Sequence, residues 1–169
     1  MTFRISCGVR TPAVFLAGLL VGAAGMAVGA QSNRIAGNSG INHVGIAVDR
    51  LDEAITTYGN LFGFGEAAVL RDEKGQPTLA FIQVSRNTFI ELSPANDTRP
   101  AGLNHFGLQV DDVKAVTAEL QRRGVNIEAP RVGRTISFIT STTDPLGVRM
   151  ELSEIRDDSM LGKAIAGWR

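Results

Sequence analysis

The chain repeats itself. Ile41-Asn42-His43-Val44-Gly45-Ile46-Ala47-Val48-Asp49 returns as Leu103-Asn104-His105-Phe106-Gly107-Leu108-Gln109-Val110-Asp111, at an offset of 62 residues. Phe89-Ile90-Glu91-Leu92-Ser93 returns as Arg149-Met150-Glu151-Leu152-Ser153, at an offset of 60. Two matches at nearly one offset define a duplicated unit of about sixty residues, which must be read as a unit before any single element. Both histidines of the chain lie inside the repeat.

Each copy has the same layout. A strand at 41–48 leads into Asp49, read as an N-cap, and a helix over 51–62 that Gly63 and Gly65 end. Strand-like segments follow at 66–71, 78–84 and 88–93. The second copy gives a strand at 103–110, a helix over 112–123 ended by Gly124, and strand-like segments at 126–132, 135–141 and 147–154. The expected fold class is α+β: two tandem βαβββ modules, 41–94 and 103–154, within a domain spanning 41–155. Residues 156–169 form a tail, helical around 160–168.

Strand parity places the chemistry-bearing residues, because successive side chains point to opposite faces. Val44, Ile46 and Val48 share the helix-packed face, which leaves His43, Gly45 and Ala47 on the other. The same alternation turns His105, Glu91 and Glu151 away from the helices, with Phe106, Leu108, Ile90, Leu92, Val148, Met150 and Leu152 toward them. Curled modules would bring two imidazoles and two carboxylates into one cavity, an N2O2 donor set for a divalent metal. A lone strand histidine is usually hydrogen-bonded and a lone strand glutamate usually exposed. The repetition of both at equivalent positions favours ligands. Imidazole and carboxylate suit Ni, Co, Mn, Fe or Zn, so the donor set does not name the ion.

Composition narrows the classes. Seventeen basic and seventeen acidic residues cancel, which argues against nucleic-acid binding. With 44% hydrophobic and 20% charged residues the chain is not a disordered one. The single cysteine, Cys7, excludes an intrachain disulfide and a cysteine zinc cluster. Residues 1–30 contain no acidic residue: Arg4 and Arg10 precede an apolar run from Pro12 that ends in Ala27-Val28-Gly29-Ala30. That pattern reads as a secretory signal peptide cleaved after Ala30, and so as an exported, periplasmic or secreted protein. The rival is an uncleaved membrane anchor over residues 12–30. Cleavage would remove Cys7 and leave a net charge of −2. Residues 31–40 read as a polar linker.

The motifs INHVGIAVDRLDEAI, YGNLFGF, FIELSP, LNHFGLQVDDV with LQRRGV, and TDPLGVRMEL resemble the vicinal oxygen chelate superfamily. It includes glyoxalase I, methylmalonyl-CoA epimerase, extradiol dioxygenases and the fosfomycin and bleomycin resistance proteins. The resemblance covers about residues 41–155 and implies paired βαβββ modules around one metal, with ligand positions at His43, Glu91, His105 and Glu151. A filled four-ligand set is similar to glyoxalase I and the epimerase. It implies proton transfer at a carbon next to a carbonyl, through a metal-stabilised enediolate, with Glu151 or Glu91 as the base. On this reading the protein is a glyoxalase-type lyase or isomerase of a small hydroxy-carbonyl substrate. The alternatives are an extradiol-type dioxygenase and a non-catalytic metal or small-molecule binding protein. Small members of the family often form homodimers that share each site between chains. Bacterial glyoxalase I commonly has an arginine four residues after the first ligand, where this chain has Ala47. Arg71, Arg131, Arg134 and Arg149 are candidate anion contacts, with a solvated surface role preferred for all but Arg149, which shares the parity of Glu151.

Overall fold

A computed structural model of the chain describes residues 34–169. The expected signal peptide, residues 1–30, lies outside the described residues. Among the described residues no helix is long and apolar enough to cross a membrane.

The first module contains β1 (Asn38–Val48), α1 (Leu51–Phe62), β2 (Gly65–Arg71), β3 (Pro77–Ser85) and β4 (Thr88–Pro94). The second contains β5 (Gly102–Val110), α2 (Val113–Arg122), β6 (Arg131–Val132), β7 (Phe138–Thr143) and β8 (Arg149–Glu154), and the chain ends in α3 (Met160–Gly167). All eight strands form one sheet in the order β2-β3-β4-β1-β5-β8-β7-β6. β1 pairs parallel with β4, and β5 parallel with β8. β1 and β5 run antiparallel and join the modules at the centre of the sheet. The α+β, tandem βαβββ expectation is therefore met.

Each helix covers its own module. Leu51 and Ile55 of α1 pack on Ala80, Ile82 and Leu92, with Ile46, Val48 and Ile90 at the edge of the cluster. Val113, Val116 and Leu120 of α2 pack on Val110, Ile127 and Leu152, with Leu108 and Met150 alongside. Ile82, Leu92 and Leu152 are fully buried, so truncating any of them to alanine would cost about 2–5 kcal/mol. Gly63 ends α1 in the left-handed conformation (φ 68), where its N–H reaches Gly59 O. Asp112 caps α2 by accepting from Lys114 N and Ala115 N.

Several local expectations are corrected. β1 begins at Asn38, so the end of the expected 31–40 linker is strand paired with β5. The N-cap of α1 is Arg50, not Asp49, and no side chain caps it. The expected strand at 126–132 shrinks to Arg131–Val132 and an isolated bridge between Ile127 and Thr142. Threonine side chains take over there: Thr140 Oγ1 donates to Glu128 O and Thr142 Oγ1 to Asn126 O. Residues 135–137 precede β7 rather than starting it, and Val148 is exposed ahead of β8. The tail is helical as expected, and it packs back on the first module. Leu161 of α3 sits against Ala68, Leu79, Phe81 and Phe89.

Candidate metal centre

Two transverse rows of residues cross the middle of the sheet. In one, register places Phe81, Glu91, Gly45, His105 and Arg149 side by side on β3, β4, β1, β5 and β8. In the other it places Phe89, His43, Gly107, Glu151 and Ser141 on β4, β1, β5, β8 and β7. Each row thus holds one imidazole and one carboxylate with a glycine between them. A Cβ on Gly45 would lie 2.1 Å from His105 Cε1, and one on Gly107 would lie 2.0 Å from His43 Cε1. The imidazoles occupy the space that side chains at the glycines would need, and this lets them lean toward each other. His43 Nε2 lies 3.1 Å from His105 Nε2.

The carboxylates close on that pair. Glu91 Oε2 is 3.7 Å from His43 Nε2 and 3.6 Å from His105 Nε2. Glu151 Oε1 is 3.8 Å from His43 Nε2. The structure therefore brings His43, Glu91, His105 and Glu151 together within one chain. His43, Glu91 and His105 form the mutually close trio. Glu151 stands at its edge, where it accepts from Ser153 Oγ at 3.2 Å and lies 3.8 Å from Arg149 Nη2.

Strand bulges orient the rings. Between Ile41↔Leu108 and His43↔Gly107 the β1 strand has one extra residue, Asn42. Between Gly45↔His105 and Ile46↔Leu103 the β5 strand has one extra residue, Asn104. Each bulge turns an asparagine onto the neighbouring histidine. Asn42 Oδ1 accepts from His43 Nδ1 at 2.7 Å, and Asn104 Oδ1 accepts from His105 Nδ1 at 2.9 Å. An amide oxygen only accepts, so both Nδ1 atoms carry the proton and both Nε2 lone pairs face the centre. These asparagines were given no role in the sequence reading, although both repeats carry Asn before His.

Electrostatics separate the ionisable groups. Burial pushes the His43 imidazole down to about 4, helped by the charges of His105 and Arg149 and opposed by Glu91. Burial alone would raise Glu91, but its contact with His105 and the charges of His43 and Arg149 outweigh it and hold Glu91 below the usual carboxylate range. Burial and the charge of Glu91 push Glu151 up.

The residues fit a divalent ion. Two lone pairs 3.1 Å apart repel unless a cation or proton lies between them. Three donors within 3.1–3.8 Å of His43 Nε2, itself a fourth, suit one ion with bonds of about 2.0–2.2 Å. The second partners on Nδ1 are the support that metal-binding histidines need.

A cavity of about 380 Å³ opens from this centre, lined by Glu91, His105 and Glu151 at its floor. Arg131, Arg134 and Arg149 line it as well, so two arginines assigned to the solvated surface belong to its wall. Arg99, which carried no sequence signal, joins them. Arg71 does not line it and instead donates to Gly75 O.

The curled sheet of two βαβββ modules around a central donor cluster defines a vicinal-oxygen-chelate fold. The chain belongs to the Glyoxalase/Bleomycin resistance protein/Dioxygenase superfamily, which matches residues 42–140. The mitochondrial methylmalonyl-CoA epimerase of Dictyostelium discoideum is 31% identical over 121 residues, covering 62% of this chain and 72% of that protein. The crystal structure of methylmalonyl-CoA epimerase from Mycobacterium tuberculosis superposes with a TM-score of 0.61 at 27% identity, over 73% of this chain and 92% of that one. A Streptomyces coelicolor methylmalonyl-CoA epimerase variant in complex with 2-nitronate-propionyl-CoA gives 0.58 at 26% identity, over 69% and 94%.

Proposed function

We propose that the chain is a divalent-metal-dependent isomerase that moves a proton at a carbon next to a carbonyl of a small acyl or hydroxy-carbonyl compound. The observation that carries this reading is the convergence of His43, Glu91 and His105, with Glu151 at their edge, beside a cavity that Glu91, His105 and Glu151 line. The similarity to epimerases favours the isomerase side over a glyoxalase-type lyase. A bound ion, Ni, Co, Mn, Fe or Zn, would supply positive charge to the substrate oxygens as negative charge develops on them.

The two carboxylates take different parts. Glu91 is held anionic in the trio with both imidazoles and serves as a ligand. Glu151 touches the trio only through His43, and its environment favours the protonated form, which suits a group that must take and return a proton. Glu151 takes the proton from the carbon. The C–H electron pair forms the C=C bond while the carbonyl pair moves onto oxygen, and return of the proton restores the carbonyl. Asn42 and Asn104 keep both imidazole Nε2 atoms facing the centre.

Proton NMR in D2O, with a panel of 2-hydroxy-carbonyl and 2-methyl-acyl compounds, tests this. The metal-loaded protein is expected to exchange the α-proton of its substrate for deuterium. Glu151→Gln is expected to keep its metal and lose at least about a hundredfold in exchange rate. Tight binding without exchange would favour the binding-protein alternative, and oxygen uptake on catechols the dioxygenase one.

Two further expectations belong to this reading. Residues 1–30 direct export and are removed, so intact protein from the native host should begin at Gln31; a mass that includes Met1–Ala30 contradicts it. The protein is a homodimer by family resemblance, and light scattering should give twice the chain mass. Since one chain assembles all four groups, the dimer need not share its centres.

A further inference from the structure

The duplication makes one half of the site a reference for the other. Offsets of 60 pair Phe81 with Ser141 and Phe89 with Arg149, at matched registers beside Glu91, Glu151, His43 and His105. In the first module the two flanking positions are aromatic. Phe89 is fully buried, and Phe81 packs edge-on to the His43 ring, with centroids 5.9 Å apart. Leu161 of α3 covers both phenylalanines. In the second module the same positions are polar and joined, with Arg149 Nη2 donating to Ser141 Oγ at 2.9 Å. One side of the centre is apolar, with Phe81 lining the cavity, and the other is cationic, with Arg149 lining it.

Three more arginines reach the cavity. Arg99, Arg131 and Arg134 line the same cavity, and among the described residues none of them pairs with a carboxylate. Arg99 and Arg134 are fixed in place: Arg99 donates to Pro94 O at 2.8 Å, and Arg134 bridges the modules by donating to Thr78 O at 3.1 Å and to Thr78 Oγ1. The turn that presents Arg134 holds Ile136 in the left-handed region (φ 69), a costly conformation for a β-branched residue, and is tied to α3 by Met160 N donating to Thr135 O. Among the described residues Glu91 and Glu151 are the only carboxylates of the lining, and both already face the imidazoles or Arg149. A divalent ion at the floor would add further positive charge.

We propose that the arginine-lined half of the cavity, with Arg149 at its inner end, holds an anionic group of the substrate, so that the substrate is a small acid bearing a carboxylate or phosphate a few bonds from the oxygens that face the metal centre. This rests on the metal-centre reading for the position of those oxygens, and on the arginines alone for the anion. Arg149 lies within 3.8 Å of Glu151, which places the anion beside the reacting carbon and not at a remote nucleotide. The volume of about 380 Å³ suits a small acid, near the lower end of ligand pockets.

Titration calorimetry on the metal-loaded chain tests it with two chelating probes, propionohydroxamate and the monohydroxamate of succinic acid, which present the same two oxygens and differ in one carboxylate. The carboxylate-bearing probe is expected to bind at least about tenfold more tightly, as a charge-assisted pair implies. That advantage is expected to disappear in Arg149→Met and to shrink in Arg131→Met, whose side chain is exposed, with metal content and propionohydroxamate affinity unchanged in Arg131→Met. Equal affinities of the two probes in the unaltered protein overturn the proposal. So does free coenzyme A displacing the succinyl probe with the same dependence on Arg149, because the arginines would then serve a nucleotide phosphate. If the chain holds no metal, inorganic phosphate binding to the metal-free protein decides the anion site separately. Binding lost in Arg149→Met supports it, and no binding overturns it.

Discussion

A Cβ on Gly107 would sit 2.0 Å from His43 Cε1, so the imidazole of one module fills the side-chain space of the other. Gly45 and His105 stand in the same relation at 2.1 Å. Neither glycine has a positive φ, so their requirement is for space and not for backbone freedom. Gly107→Ala must therefore push His43 away from His105. The expected result is a loss of at least about tenfold in metal affinity and a lower melting temperature, measured by competition with a chromophoric chelator and by calorimetry. Gly65→Ala is the control, since a Cβ there meets nothing within 4 Å. Wild-type metal affinity in Gly107→Ala would contradict the packing.

The paired asparagines give a second prediction. Asn42 and Asn104 accept from the Nδ1 atoms of His43 and His105. Alanine at either position removes the acceptor that sets the tautomer, and metal affinity should fall about 10–100-fold. Nitrogen-15 NMR of the metal-free protein should show the rings of the variants shifting toward the other tautomer. An unchanged tautomer in both variants would contradict the assigned role.

Acid should loosen the metal-free fold. His43 protonates at about 4 when folded and at 6.5 as a free side chain. Between these values the unfolded state binds more protons, so stability falls as the pH is lowered through this window, by up to about 3 kcal/mol from His43. Glu151 acts in the opposite sense. Its raised folded value means that the folded chain takes a proton first, which stabilises the fold as the pH falls. Urea midpoints of chelator-treated protein between about pH 7 and about pH 4 should decline less in His43→Gln and more in Glu151→Gln than in the parent. An unchanged decline in His43→Gln would overturn the attribution.

The repeat and strand parity made most of the centre legible before the fold was known. Both properties are local in sequence, and the two modules confirm each other. What parity missed came from its own assumption of strict alternation. Bulges at Asn42 and Asn104 break the period of two and turn onto the histidines side chains that alternation assigns to the opposite face. The arginine wall was hidden for a related reason. Ile136 reads as strand by propensity, yet it occupies a left-handed turn that carries Arg134 to the cavity. Arg99 reaches the cavity from a turn built by Asn96, whose side chain accepts from Thr98 N and Arg99 N. Such placements depend on the partner strand or turn, which no single segment reports.

Metal content per chain, measured by inductively coupled plasma mass spectrometry on protein purified without added chelator, tests the central claim most directly. The account predicts one divalent ion per chain in the unaltered protein, and a fall to background in His43→Ala and in His105→Ala while both variants stay folded by circular dichroism. Full metal content retained in both folded variants would contradict it.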